Sequence, residues 1–190
     1  MNTPEKIAQA YLRLNGFFTI PHFTLLKDNG THIDFLAVRL GRSVEKVGVT
    51  PNVFPLSIDE QLLSKLAVTK NKTIGIVVEV KGGACRNNDT VNLDEKFKYA
   101  KPFFGNIRNI KKVKFEKDNN SEIEEQDDYI IVSIKHCVGF IKNRFGELKR
   151  IEGQLERTRQ LSKEGSWHLS EEFLSDLIYL NKIEDSTRGS

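Results

Sequence analysis

The spacing of apolar positions changes along the chain, and each change predicts an element. Ile7, Ala10, Tyr11 and Leu14 recur at helical intervals, so the chain is expected to open with a helix. Thr3 suits its cap, Pro4 its first turn, and Glu5 the positive end of its dipole. Asn15-Gly16 is a natural stop. Two strand-like runs follow, Phe17 to Lys27 and Thr31 to Arg39, separated by the hairpin signal Asp28-Asn29-Gly30. From Leu40 to Thr73 the pattern weakens. Pro51 and Pro55 interrupt it and only Ile58 to Val68 reads as a short helix, so residues 40–73 are expected to form an insertion between core strands. Ile74 to Lys81, IGIVVEVK, is the most apolar strand in the chain and is read as central and covered on both faces.

Beyond Gly82-Gly83, Asn92 is placed as the cap of a helix over Leu93 to Phe104. Lys111 to Lys117, KKVKFEK, alternates like an exposed strand, Asp118 to Asp128 reads as an acidic loop, and Tyr129 to Val132 as a short strand. Ser133 fits as the cap of a long helix with Ile134, Val138, Ile141, Phe145 and Leu148 on one face. Further helices are expected near Leu155 to Leu161 and Ser170 to Ile183. The order helix, strand, strand, strand, helix, strand predicts an α/β fold with a mixed central sheet over residues 1–133. A helical C-terminal extension, 134–190, would pack on that core.

Composition narrows the class. With 38% hydrophobic and 29% charged residues in 190, the chain has the make-up of a soluble globular protein. No window approaches 18 consecutive apolar residues, so no membrane partner is expected. Glu5 and Lys6 interrupt the segment where a signal peptide would need an apolar core. Cys85 and Cys137 make neither a disulfide framework nor a zinc spacing, which points to a reduced, cytoplasmic setting. The net charge of +3 is small, but its distribution is not even. Residues 81–117 hold ten basic and four acidic residues, whereas 118–128 hold six acidic residues and no basic one. Basic blocks around an acidic loop can serve a phosphate backbone or simply be solvated faces.

The chemistry concentrates on two strands. Asp34 lies in HIDFLAVR on the face that regular alternation gives to Leu36 and Val38. Glu79 and Lys81, in VVEVKGG, project from one face about 7 Å apart. Carboxylates on apolar strands are costly unless paired or bound to metal. Held by Asp34 and Glu79 with a backbone carbonyl such as that of Val80, a Mg²⁺ or Mn²⁺ ion would explain them, with Lys81 placing a water for attack on phosphorus. The alternative is a wet strand edge where Lys81 merely pairs with Glu79.

A first-helix acid (Glu5 in PEKIAQAYLRLNGFF), a strand acid (Asp34) and Glu79-x-Lys81 on the next core strand resemble the PD-(D/E)XK nuclease superfamily, the restriction-endonuclease-like fold with its αβββαβ core. The resemblance spans about residues 4–133. It implies a Mg²⁺-dependent endodeoxyribonuclease with Asp34 and Glu79 as metal ligands, Lys81 as catalytic lysine and Glu5 as an auxiliary acid. DNA would be the partner, and a homodimer would supply two sites. Ile33 stands where the family name has proline, and the following helix offers Glu95 and Tyr99 where several branches carry Gln and Tyr. Lys96, Lys98, Lys101, Arg108, Lys111, Lys112 and Lys114 would be the phosphate contacts. His32 is read as structural, and His136 and His168 have no partner spacing. Trp167 is expected to pack in the helical tail. No P-loop, dinucleotide fingerprint or GxSxG elbow is present. The competing functions are a nucleic-acid- or protein-binding module on the same fold, catalytically weak or inactive, and an unrelated α/β interaction protein.

Overall fold

A computed structural model describes residues 1–25, 31–41, 46–49, 52–69, 72–82, 88–117 and 122–157. Among these residues the chain is α/β, with four α-helices, a mixed six-stranded sheet and a separate two-stranded one. It divides into two compact units, Met1–Val44 with Ile58–Phe140, and Glu45–Ser57 with Ile141–Ser190. The expected hairpin tip at 28–30, and the helix expected over 170–183, lie outside the described residues, as do Trp167 and His168.

In the first unit α1 spans Thr3–Leu14. Its cap is Asn2 rather than Thr3. The Asn2 side chain accepts from the Glu5 amide at 3.0 Å, and the Glu5 carboxylate accepts from the Asn2 amide at 3.1 Å, a reciprocal capping box. The hairpin β1 (Phe18–Leu25) and β2 (Thr31–Leu40) follows as expected. The strands β5 (Thr73–Lys81), β6 (Asn109–Glu116), β7 (Ile123–Gln126) and β8 (Tyr129–Ser133) complete the sheet in the order β1-β2-β5-β6-β8-β7; β3 (Lys46–Val49) and β4 (Asn52–Pro55) belong to the second unit. β2 is antiparallel to β1 and β5, whereas β6 runs parallel to both β5 and β8.

Residues 74–80 of β5 are all buried, so the central, covered strand read from IGIVVEVK is what forms. The parallel step from β5 to β6 needs a crossover, and α3 (Asn88–Ala100) supplies it. This helix starts four residues before the expected cap and ends in a 3-10 turn, Lys101–Phe104, where Pro102 sits. Phe104 lies so close over Gly75 that a Cβ there would fall 2.5 Å from its ring, so glycine at this point seats the crossover on the sheet. Leu93, Ala100 and Phe104 join Ile33, Leu36, Val77, Tyr129 and Ile131 in one apolar cluster. On the opposite face Tyr11 of α1 meets Phe115 of β6 edge to face, with ring centres 6.0 Å apart.

Three expectations are corrected. KKVKFEK is not an exposed strand: it is interior to the sheet, and Lys112 and Lys114 are buried. The acidic loop contains the edge strand β7, with Asp127 turning back to β8 at a φ of 52°. The insertion holds α2 (Glu60–Lys65), capped by Asp59, and the hairpin β3 (Lys46–Val49) and β4 (Asn52–Pro55).

That hairpin belongs to the second unit, which also takes the residues from Ile141 of the long helix α4 (Ile134–Arg157). There Leu56 and Ile151 are buried together, with Phe54 and Leu148 packed against them. The Ser57 amide and hydroxyl donate to Glu147 at 3.0 and 2.9 Å, and Arg144 donates to the Ser57 carbonyl.

Candidate functional site

Asp34 stands where the sheet loses its regularity. The β1–β2 ladder passes from Pro21↔Phe35 to Phe23↔Ile33 and skips the pair that would join His22 to Asp34. His22 there has a φ of 50°, left-handed backbone that an L-residue adopts at a cost. On the other side the β2–β5 ladder ends at Phe35↔Val78. Ile33 and Leu36, which regular alternation would put on opposite faces, belong to the same apolar cluster. Simple alternation therefore does not carry Asp34 to the face of Leu36 and Val38.

The Val80 amide, released from the β2 backbone, donates instead to Asp34 Oδ2 at 2.7 Å. What Val80 brings to the site in this structure is thus its N–H. Glu79 is buried, and both of its oxygens are taken by ammonium groups: Lys81 Nζ at 2.8 Å from Oε1, and Lys96 Nζ at 2.7 Å from Oε2. The Lys81 side chain keeps 25% of its surface exposed and that of Lys96 only 9%. Lys96 comes from the sheet-facing stripe of α3, between Leu93 and Ala100.

The electrostatics of Asp34 follow. Burial pushes its carboxyl above the ordinary carboxylate range, the neighbouring charge of Glu79 adds to the rise, and the Val80 hydrogen bond opposes it. The Glu5 charge raises it further, while Lys96 lowers it. Of the expected residues, Glu79 and Glu5 are thus within electrostatic reach of Asp34, and Lys81 is paired with Glu79. Glu5 has a second duty, since its carboxylate also accepts from the Asn2 amide and, at 2.7 Å, from its side-chain nitrogen.

The expected phosphate contacts divide differently. Lys98, Lys101 and Arg108 are exposed and Lys111 half-buried. Lys111 pairs with Ile76 and Arg108 just precedes the pair Ile74↔Asn109. Arg108 is therefore about 20 Å along the sheet from Glu79, at the opposite end of β5. Three of the seven, Lys96, Lys112 and Lys114, are not surface contacts. Lys96 sits inside the site, and Lys112 is buried, 2.6 Å from Asp94 and 2.5 Å from Asp128, with its ammonium over the Tyr129 ring at 4.4 Å. Burial alone would lower the Lys112 pKa, but its bonds to the two aspartates more than reverse that. Lys114 is likewise buried, 2.7 Å from Glu116, in register with Glu79 across the parallel β5–β6 ladder. The signal in the sequence for a buried lysine on this sheet face is the alternation Lys112, Lys114, Glu116, which a solvent-facing strand would share.

Sequence reading missed a second polar cluster altogether. Asp59 Oδ2 accepts from Tyr11 Oη at 2.7 Å and lies 2.6 Å from His136 Nε2, while Oδ1 caps α2 through the amides of Gln61 and Leu62. The Asp59 amide donates to Asn15 Oδ1 at 2.6 Å. Glu122 approaches the other ring nitrogen of His136 at 3.7 Å. His136 and its partner are 77 positions apart, so no local spacing could announce them. His32 bonds Thr24 at 3.0 Å on the surface.

No group of three or more His, Cys, Asp or Glu side chains among the described residues is arranged to hold a metal ion, so a cation here would rest on the Asp34–Glu79 pair and backbone oxygen. No helix among them is long and apolar enough to cross a membrane. No protein-family model, curated protein or solved structure matches the chain.

Proposed function

We propose that this chain is a metal-dependent nuclease on a restriction-endonuclease-like core, hydrolysing phosphodiester bonds, foremost in DNA. The observation that carries the reading is the gathering of Asp34, Glu79 and Lys81 at the one point where β2 breaks its ladder with both neighbours. The element order supports it: a helix, three antiparallel strands adjacent in the sheet, a crossover helix and a parallel strand.

The donor set fits a hard divalent cation. Two carboxylates close enough for one to raise the pKa of the other are relieved by positive charge between them. Asp34 and Glu79, with the Val80 carbonyl, would hold Mg²⁺, for which Mn²⁺ can substitute. When bound, the ion neutralises charge developing on the phosphate. Lys81, whose ammonium is the more exposed of the two on Glu79, holds the attacking water in line with the scissile bond. Water oxygen bonds to phosphorus and releases a proton to solvent as the bond to the 3′ oxygen breaks; that oxygen takes up a proton from solvent, leaving a 3′-hydroxyl and a 5′-phosphate. Glu5 adds negative charge beside Asp34 and so favours the cation. The exposed Lys98, Lys101 and Arg108 would contact the phosphate backbone of a bound duplex, and a homodimer would supply the second site that a double-strand cut requires. A cytoplasmic role in restriction, defence or repair suits such an activity.

One observation favours the second reading, a binding module without catalysis. The formal charges of Asp34 and Glu79 are matched by those of Lys81 and Lys96, so these four cancel without a metal. Cleavage of supercoiled plasmid and of single-stranded oligonucleotides with Mg²⁺, Mn²⁺ or EDTA separates the two. Metal-dependent cutting that is lost in folded Asp34→Asn and Lys81→Ala supports the nuclease. Absence of cutting, with nucleic acid still bound in a shift assay, supports the module.

A further inference from the structure

We infer that Lys96 is a resident counter-ion that a divalent cation must overcome to occupy the Asp34–Glu79 pair, so that this lysine sets how tightly the site takes metal. The inference rests on the metal-site reading above and deepens it.

A lysine in the buried stripe of a helix is expensive unless it is paired, because its ammonium is stripped of water. Lys96 occupies such a position, between Leu93 and Ala100, and bonds Glu79 Oε2 at 2.7 Å. Lys81 meets the other oxygen, but its greater exposure gives it an alternative. A four-carbon stem that reaches solvent can carry the Lys81 ammonium into water when a cation arrives. Lys96 has no such exit while α3 stays seated on the sheet by Phe104 over Gly75. Its charge therefore stays beside Glu79, and opposes any added cation, in every state that keeps the fold.

The consequence is unusual for a residue beside a catalytic centre: removing it strengthens cation binding. Unit charges a few ångströms apart near a protein surface interact strongly enough to shift an affinity by an order of magnitude. Even after the partial screening such a site allows, deleting one positive charge should tighten divalent binding by about tenfold or more. Lys96→Met keeps the length and apolar packing of the stem, Lys96→Gln keeps a donor for Glu79, and Lys96→Arg keeps the charge. Lys81→Met, removing the charge that can leave, should tighten binding less. This makes Lys96 a positioning residue whose charge tunes the site, distinct from Lys81 as the residue that would meet substrate.

The test is titration of the full chain with Mn²⁺, read by calorimetry and by the metal-induced rise in melting temperature, with no nucleic acid present. Tighter binding in Lys96→Met and Lys96→Gln, with parent-like binding in Lys96→Arg, is the expected result. Binding by the uncharged variants alone, with none in the parent, supports the inference equally. Equal or weaker binding in both uncharged variants, while the parent binds, overturns it and leaves the metal site standing. No binding by any of these proteins, all folded by circular dichroism, overturns the metal site itself and this inference with it. The Gln variant secures the test should the Met variant not fold.

Discussion

The two buried polar clusters of the first unit lie on opposite faces of one sheet and solve the same problem differently. Asp59 collects donors: burial alone would raise its pKa, but hydrogen bonds from His136, Tyr11 and the Leu62 amide more than reverse this and hold it below the ordinary 3.8. Asp34 has the Val80 amide and a like charge beside it, and its pKa is raised. A carboxylate with its donors in place welds elements together, here α1, α2 and α4. A carboxylate left above its ordinary range stores unfavourable charge that a cation or a proton could relieve. The contrast marks the Asp59 cluster as a fastener and supports the proposal of the Asp34 cluster as a site.

The sharpest way to break this comparison is to remove each acid. Asp59→Ala leaves Tyr11 and His136 without their shared acceptor and strips the cap of α2. It should cost about 3–5 kcal/mol in urea unfolding. Loss under 1 kcal/mol would mean the cluster fastens nothing. His136→Gln should cost less, about 1–2 kcal/mol, and should flatten the pH dependence of stability. His136 is held above its ordinary 6.5 chiefly by its bond to Asp59, with burial opposing. A group raised in the fold stabilises fully below its unfolded value and loses that contribution as pH rises through the folded one. Asp59, depressed in the fold, contributes above 3.8 and loses its share as pH falls through the lowered value. The parent should therefore weaken on the alkaline side of 6.5 and again in acid, and His136→Gln should lack the first of these losses.

Asp34→Asn should act in the opposite direction and by less. The amide oxygen can still accept from Val80 while the like charge beside Glu79 disappears. A gain of about 0.5–1 kcal/mol in stability is expected together with loss of cleavage, the trade a strained functional group makes. Destabilisation by Asn would place Asp34 with Asp59 as a fastener. The smallest effect on stability belongs to Lys98→Glu and Arg108→Glu, within about 0.5 kcal/mol. If these residues touch phosphate, each should lower the salt slope of DNA binding by about one. An unchanged slope would remove them from the interface.

Sequence reading reached the elements whose apolar residues keep one period. α1, the β1–β2 hairpin, β5 and α3 are of this kind, and Glu79-x-Lys81 was visible because two residues of a strand share a face. It failed where ion pairs reverse the meaning of charge. Lys112 and Lys114 looked solvent-facing in KKVKFEK, yet each is buried against acids. β7 was hidden because a strand at the sheet's edge can consist of Glu and Gln with a single buried Ile123. The β3–β4 hairpin was hidden by Pro51, which falls between its two strands in sequence, and by Pro55 at the end of β4. Lys96 was seen only as one of a basic series. Its place between Leu93 and Ala100, three before and four after, was the available signal that it points inward.

The unfinished ladder between β2 and β5 leaves one amide proton shared with a side chain instead of a strand. In a ¹H–¹⁵N spectrum the Val80 resonance should lie downfield, as amides bonded to carboxylates do, and should respond to whatever changes Asp34. Those of Val77 and Val78, held within the sheet, should stay where they are. The protein thus carries its own local electrometer, one backbone proton whose frequency registers the charge state of a single carboxylate.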